Sequence, residues 1–170
     1  NAADILPAYD SWRFDWLDVP GIISRAGGMF EFPMVDRDPL PQWNFGRMTL
    51  LGDAAHPMYP IGSNGSTQAI RDASAIVDAL VESGDVLAAL ARYQACRLPA
   101  TAAIVKSNRQ LGPELVMQIA ESRAPEGFND IENVIPRAEL EEVAGRYKKL
   151  AGFSVDTLNA NLSILNEAGA

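Results

Sequence analysis

The stretch RMTLLGDAAHPMYPIGSNGSTQAIRDA, residues 47–73, decides the fold of this 170-residue chain. It opens with a short apolar run that predicts a buried strand over residues 47–51. A loop over residues 52–65 follows, with three glycines and two prolines. Apolar residues then recur at helical spacing over residues 66–82, which predicts a helix with an apolar inner face. The loop therefore lies at the carboxyl end of a strand, where open α/β sheets bind ligands.

Two features of the 52–65 loop suit a ligand, and each also has an ordinary structural explanation. Asp53 can accept hydrogen bonds from sugar or polyol hydroxyls, but aspartate is also a common turn residue. The glycines of Gly62-Ser63-Asn64-Gly65 let the backbone approach a ligand closely. The free amides of the following helix start favour negative charge, such as that of a reduced flavin. The same four residues would also serve as a plain helix entry, with Ser63 or Asn64 as the N-cap.

Taken together, these residues resemble the second flavin-binding motif of the class A flavoprotein monooxygenases, the para-hydroxybenzoate hydroxylase-like group. The matching residues are Gly52, Asp53, Ala54, Ala55, His56, Pro57, Pro60, Gly62, Asn64, Gly65 and Asp72. The run HPMYPIGSNG is most similar to the branch that contains phenazine and salicylate-type hydroxylases. Weaker similarity, including Arg97 and Tyr147, extends over most of the chain.

The resemblance implies FAD as the cofactor and a role for each part of the loop. Gly52 and Asp53 would bind FAD, with Asp53 at its ribityl or pyrophosphate part. Pro57 would lie near the reactive C4a edge of the flavin and is the candidate catalytic residue. The backbone of Gly62, Ser63, Asn64 and Gly65 would hold the pyrimidine edge. For His56, the only histidine, we expect a structural role beside the loop.

The reaction that the resemblance implies is hydroxylation of a small aromatic substrate. In such enzymes NAD(P)H reduces FAD, O2 adds at C4a, and the resulting hydroperoxide transfers a hydroxyl group to an electron-rich ring. Two other functions stay open. The same scaffold serves other flavoenzymes, such as halogenases and reductases. Alternatively, the chain is a non-catalytic helical interaction module, in which exposed apolar helix faces favour self-association.

The predicted fold class is α/β and mostly helical, in three regions. Residues 1–46 would be the end of a substrate-domain segment, with a helix over 3–17 and a remnant β-hairpin whose strands cover 22–24 and 29–35. Residues 47–122 would be the C-terminal part of an FAD-binding Rossmann-like domain, and residues 123–170 a C-terminal helical extension. The predicted helices after the loop cover 66–82, 86–97, 114–122, 136–151 and 155–167. At Pro99 we expect either a kink or the start of a fresh helix that runs to about Leu111.

The chain lacks the strand, Gly-x-Gly-x-x-Gly turn and helix with which complete members of the resembled group begin. We therefore expect it to be the C-terminal piece of a longer enzyme. By itself, the chain should bind FAD weakly or not at all and should be inactive.

Composition narrows the class of protein further. The net charge of −8 argues against a nucleic-acid partner, because phosphate binding needs clustered Lys and Arg. No apolar run is long enough for a membrane span. With one cysteine, Cys96, and one histidine, no Cys/His zinc site is expected. These features favour a cytoplasmic location.

Overall fold

The computed structural model describes residues 1–160, which form two compact units with the boundary between Pro33 and Met34. The first unit contains α1 (Ala2–Tyr9), a small hairpin of β1 (Arg13–Phe14) and β2 (Leu17–Asp18), and α2 (Val19–Arg25). The Asp18 side chain caps α2 by accepting a hydrogen bond from the Gly21 amide at 3.1 Å, and Pro20 lies in the first turn. Both residues are typical of helix starts.

These start signals overturn the prediction for the first 35 residues. The helix predicted over 3–17 ends at Tyr9 and gives way to the β1–β2 hairpin. The β-hairpin predicted over 22–35 is wrong as well, because residues 22–24 lie inside α2. Residues 29–35 form no strand and have no partner strand in the described part of the chain. A remnant hairpin of a substrate domain is therefore not present here.

The second unit begins with another short hairpin, β3 (Asn44–Phe45) and β4 (Met48–Thr49). Gly46 makes its tight turn with φ of 63°, a value that glycine adopts at little cost. The prediction of a buried strand over 47–51 is wrong, since only two residues are paired and Met48 is 70% exposed. Apolar runs of five residues do not by themselves report burial. Within residues 1–160 both sheets are two-stranded and antiparallel.

Helices make up the rest of the second unit. Short 3₁₀ turns cover Gly52–Ala54, Ile61–Ser63, Gly112–Glu114 and Ile131–Asn133. The α-helices are α3 (Gly65–Ser83), α4 (Val86–Asn108), α5 (Leu115–Arg123), α6 (Arg137–Leu150) and α7 (Val155–Ala160). The helices predicted over 66–82, 114–122 and 136–151 are thus confirmed, as is the mostly helical fold class with small strands. Of the helix predicted over 155–167, the part after residue 160 lies outside the described residues.

Of the two alternatives predicted at Pro99, the fresh helix is wrong, because α4 runs through this residue as one helix. A proline inside a helix removes the hydrogen bond to the carbonyl four residues earlier, here that of Ala95. Both Pro99 and Ala95 are exposed, so this carbonyl can be hydrated instead.

The core lies where α3 packs on α4, beneath Trp43 and the loop. Its buried cluster comprises Trp43, Ala55, Ala75, Ala79, Ala89 and Tyr93. On α3, the residues that face this core are Gln68, Asp72, Ala75 and Ala79, which we call the inner face. The large apolar residues Ile70, Val77, Leu80 and Val81 are exposed, and we call them the outer face. The prediction of an apolar inner face is therefore wrong. The face of α3 that packs on α4 carries small and polar residues, and their size allows the two helices to approach closely.

Candidate functional site

The fully buried carboxylate of Asp72, on the inner face of α3, is the centre of the site. Its Oδ2 accepts a hydrogen bond from the Gly52 amide at 2.9 Å and lies 2.5 Å from Nε2 of His56. Its Oδ1 accepts from Nε of Arg97, on α4, at 2.8 Å. His56 and Arg97 are only 4% and 1% exposed. Asp72 thus fixes the start of the 52–65 loop to both long helices.

The charge of Asp72 is balanced inside the protein. Burial by itself raises the pKa of this carboxyl group, because it penalises the charged form. Hydrogen bonds from His56, Arg97 and the Gly52 amide more than offset burial and hold the pKa below its ordinary value. Asp72 is therefore a carboxylate at neutral pH, and the adjacent Arg97 compensates its charge.

Gln68 extends this network to the end of the loop. Its Oε1 accepts from Nη2 of Arg97 at 2.6 Å, and its Nε2 donates to Oδ1 of Asn64 at 3.1 Å. The same nitrogen donates to the carbonyl of Ala151 at 3.2 Å. One network therefore holds buried side chains at both ends of the loop.

The first turn of α3 adds backbone donors at the end of the loop. Asn64 is the N-cap residue, but its side chain makes no cap hydrogen bond because it is turned inward to Gln68. The amides of Gly65, Ser66 and Thr67 form the first turn of a helix of 19 residues. First-turn amides have no carbonyl partner within their own helix, and they carry the positive end of the helix dipole. This helix start can therefore bind an anionic or carbonyl-bearing group.

Gly62 lies where Tyr147 of α6 and Glu114 contact the loop. Its φ is 69°, and a Cβ atom there would lie 2.3 Å from the hydroxyl of Tyr147. The Gly62 amide donates to Oε1 of Glu114 at 2.9 Å, and the Ser63 amide donates to the carbonyl of Pro60 at 3.0 Å. Both amides are thus occupied within the protein, and glycine is the only residue that fits at position 62 without displacing Tyr147.

Tyr147 of α6 holds the same part of the loop from behind. Its hydroxyl donates to Oδ1 of Asn108 at 3.0 Å, and Asn108 Nδ2 donates to the carbonyl of Tyr59 at 3.1 Å. Burial raises the pKa of Tyr147, so the hydroxyl keeps its proton at neutral pH. The loop is consequently supported by α4 and α6 through neutral hydrogen bonds.

The structure places the predicted site residues on one loop but in different environments. Asp53 is exposed in the 3₁₀ turn, and no group of the described residues hydrogen-bonds to its carboxylate. Pro57 is half-buried beside His56. The hydrogen bond of His56 to Asp72 fits a structural role, as the sequence suggested.

Two residues that hold the loop, Gln68 and Glu114, were not identified from the sequence. Asp72 and Arg97 were identified only as matches to the family pattern, without a role of their own. The run of small or polar residues at 68, 72, 75 and 79 was the available signal, since these positions share one helix face.

The described part of the chain contains neither a cluster of metal-binding side chains nor a membrane-spanning helix. Residues 1–160 contain no group of three or more His, Cys, Asp or Glu side chains placed to hold a metal ion. Over the same residues, no helix combines the length and the apolar character needed to cross a membrane.

Comparisons with known proteins match the segment that contains this loop. Residues 33–108 match a family model described as an FAD binding domain. The chain is 56% identical over 106 residues to the phenazine 1,6-dicarboxylic acid hydroxylase PhzS of Lysobacter antibioticus, covering 62% of this chain and 26% of the relative. It is 41% identical over 108 residues to the 3-amino-4-hydroxybenzoate 2-monooxygenase PtnB3 of Streptomyces platensis, covering 63% and 26%.

A third relative has a narrower match. The 3-hydroxybenzoate 6-hydroxylase 2 of Aquipseudomonas alcaligenes is 49% identical over 78 residues, which cover 45% of this chain and 24% of the relative. The chain therefore spans about a quarter of the length of these curated relatives. The predicted resemblance to FAD-binding aromatic hydroxylases is confirmed for the segment that contains the loop.

Proposed function

We propose that this chain supplies the flavin-binding loop and helix of an FAD-dependent monooxygenase that hydroxylates a small aromatic substrate with NAD(P)H and O2. The observation that carries the proposal is the open first turn of α3, beside a loop whose shape is fixed from within. The family model that matches residues 33–108 supports FAD as the ligand. The names of the relatives refer to aromatic carboxylic acids as substrates, which supports this substrate class.

The residues present fit FAD. The flavin pyrimidine edge carries carbonyl oxygens and becomes negative on reduction, and the amides of Gly65, Ser66 and Thr67 are donors suited to that edge. We place the cofactor contact at these three amides, because those of Gly62 and Ser63 already donate to Glu114 and Pro60.

The other loop residues have complementary roles in the proposal. The exposed carboxylate of Asp53 accepts hydrogen bonds from the ribityl hydroxyls. Pro57 offers an apolar surface without an amide proton near the reactive edge of the flavin. When bound, FAD takes electrons from NAD(P)H and activates O2, and this chemistry belongs to the cofactor rather than to side chains. The chain contributes orientation and a fixed backbone, and the role of His56, buried and bonded to Asp72, is to hold the loop.

A titration with FAD, followed by amide chemical shifts of the labelled chain, tests the proposal. Such shifts detect weak binding, which is what we expect of this chain alone. We expect changes at residues 53–56 and 64–67 that saturate together. Asp53→Ala should weaken binding several-fold, whereas Asp156→Ala, which removes an exposed carboxylate from α7, should not. Shifts confined to other parts of the chain, or none with FAD in large excess, would contradict the proposal.

A second candidate, a helical interaction module, is favoured by the outer face of α3. Ile70, Val77 and Val81 are 70%, 58% and 79% exposed. Contiguous apolar residues of this kind mark contact surfaces in soluble proteins. Sedimentation of the chain over a range of concentrations, with and without FAD, distinguishes the two candidate functions. The interaction module would be favoured if self-association does not depend on FAD and the amide chemical shifts of the loop do not change when FAD is added.

A further inference from the structure

A small cavity lies behind the loop, between Trp43, His56 and α4. Its volume is about 10 Å³. Most of its lining is apolar and comes from Pro39, Leu40, Ala55, Leu98, Ala102 and Val105. The polar lining residues are Trp43, His56, Thr101 and the exposed Arg37. A space of roughly 10–15 Å³ holds one water molecule, so a larger ligand does not fit.

Two nitrogen atoms of these lining residues are buried without a hydrogen-bond partner among the described residues. They are Nε1 of Trp43 and Nδ1 of His56. Their residues are only 1% and 4% exposed, and the two rings lie 5.6 Å apart between centroids. Leaving a buried polar group unpaired is energetically unfavourable, because the group loses its hydrogen bonds to water. Because both residues line the same small cavity, one small polar ligand there can pair with both atoms.

The hydrogen-bonding roles of the two atoms are complementary. The indole Nε1 is a donor only. His56 Nε2 faces the carboxylate Oδ2 of Asp72 at 2.5 Å and so carries a hydrogen. In a neutral imidazole the other nitrogen, Nδ1, is then an acceptor. One water can accept from Trp43 and donate to His56 at the same time.

Thr101 can supply a third partner. Its hydroxyl donates to the carbonyl of Arg97 at 3.0 Å, which leaves its oxygen free to accept. Buried waters typically make about three hydrogen bonds. The cavity therefore has the size, the donor, the acceptor and the third polar group that a water site needs.

We propose that this cavity binds one long-lived water molecule that bridges Nε1 of Trp43 to Nδ1 of His56. The water holds His56 in the tautomer that donates from Nε2 to Asp72. Trp43 is thereby a positioning residue for the Asp72 network, which it reaches through the water and His56. The inference is independent of the proposed function, since no part of it involves a flavin.

The three tryptophans allow an internal control in a water-selective NMR experiment on the full chain. A bound water gives the Trp43 indole proton a cross-peak to the water line with opposite signs in NOESY and ROESY spectra. Trp12 and Trp16 are 49% and 80% exposed, so their indole protons should show exchange with water instead. A Trp43 proton without such a cross-peak, or with exchange alone, would overturn the proposal.

The tautomer gives a second, independent measurement. Because His56 is the only histidine, its ring nitrogens can be identified in a long-range ¹⁵N–¹H spectrum. We expect a protonated Nε2 and an unprotonated, hydrogen-bonded Nδ1, with loss of the hydrogen-bond shift at Nδ1 in Trp43→Phe and none in Trp12→Phe. A protonated Nδ1 at neutral pH would overturn the proposal. Should Trp43→Phe not fold, the wild-type spectra decide the question alone.

Discussion

The inner and outer faces of α3 reverse the usual distribution of side chains. The inner face contains Gln68, Asp72 and two alanines, all buried, whereas the outer face presents Ile70, Val77, Leu80 and Val81 to solvent. In most amphipathic helices the large apolar residues face the core. Here the core contact is made by small residues and a charged network that also fixes the 52–65 loop. The inner face of α3 is consequently part of the site.

The reversal separates two kinds of contribution to stability. Asp72 and Arg97 are buried charges, which stabilise the protein only while both are present. The outer residues gain little from folding of this chain because they remain exposed. Substitutions on the two faces should therefore differ strongly in effect, and four of them test this difference.

The largest effect should follow Asp72→Ala. The change leaves Arg97 buried without its partner and removes the acceptor of the Gly52 amide. Breaking a buried pair in this way costs about 3–5 kcal/mol. Asp53→Ala, in the same motif but exposed, should change the free energy of unfolding by less than about 0.5 kcal/mol. Urea unfolding followed by circular dichroism measures both, and equal effects of the two variants would contradict the role of Asp72.

The second effect concerns volume. Ala75 is fully buried in the core cluster, whereas Ala73, two residues earlier, is exposed. Ala75→Leu should destabilise the protein by about 1–3 kcal/mol, because extra methylene groups strain a packed core. Ala73→Leu makes the same chemical change in the same helix and should be nearly neutral. If Ala75→Leu were as well tolerated as Ala73→Leu in thermal unfolding, α3 would not pack closely on α4.

The third effect is a pH dependence of smaller size. The pKa of Asp72 is held below its ordinary value of 3.8 in the folded protein. A carboxyl group of this kind stabilises the fold above its unfolded pKa, and this contribution is lost as the pH falls through the folded pKa. Wild-type protein should therefore lose more unfolding free energy below about pH 4 than Asp72→Asn. Parallel pH profiles for the two proteins would show that Asp72 is not a charged partner in the fold.

Sequence alone predicted most of the helices that follow the loop, but not which way α3 faces. Helical periodicity identified residues 66–82 correctly because it depends only on local spacing. The same spacing cannot reveal that Asp72 pairs with Arg97, a residue 25 positions away. Without that pair, the larger apolar residues are the natural choice for the core. The hairpin predicted over 22–35 failed for a related reason, since Asp18 and Pro20 start a helix just before it.

The candidate site was predictable to the extent that it is a contiguous motif. The residues from Gly52 to Gly65 lie together because they form one loop, and they fall within the segment 33–108 that matches the model of an FAD binding domain. The supports of the loop were not predictable in the same way. Glu114 and Tyr147 reach Gly62 from elements about 50 and 85 residues later, and nothing in their local sequence indicates this contact.

The smallest effect should come from the outer face. Val81 is 79% exposed, so Val81→Ser should change the free energy of unfolding of the dilute chain by less than about 0.5 kcal/mol. The same substitution in a concentrated sample should weaken self-association if the outer face is a contact surface, because it removes apolar area from that surface. Urea unfolding at low concentration and sedimentation at high concentration measure the two effects separately. A loss of more than about 1 kcal/mol in the dilute chain would mean that Val81 is covered by the chain itself, and the contrast between the two faces would then be wrong.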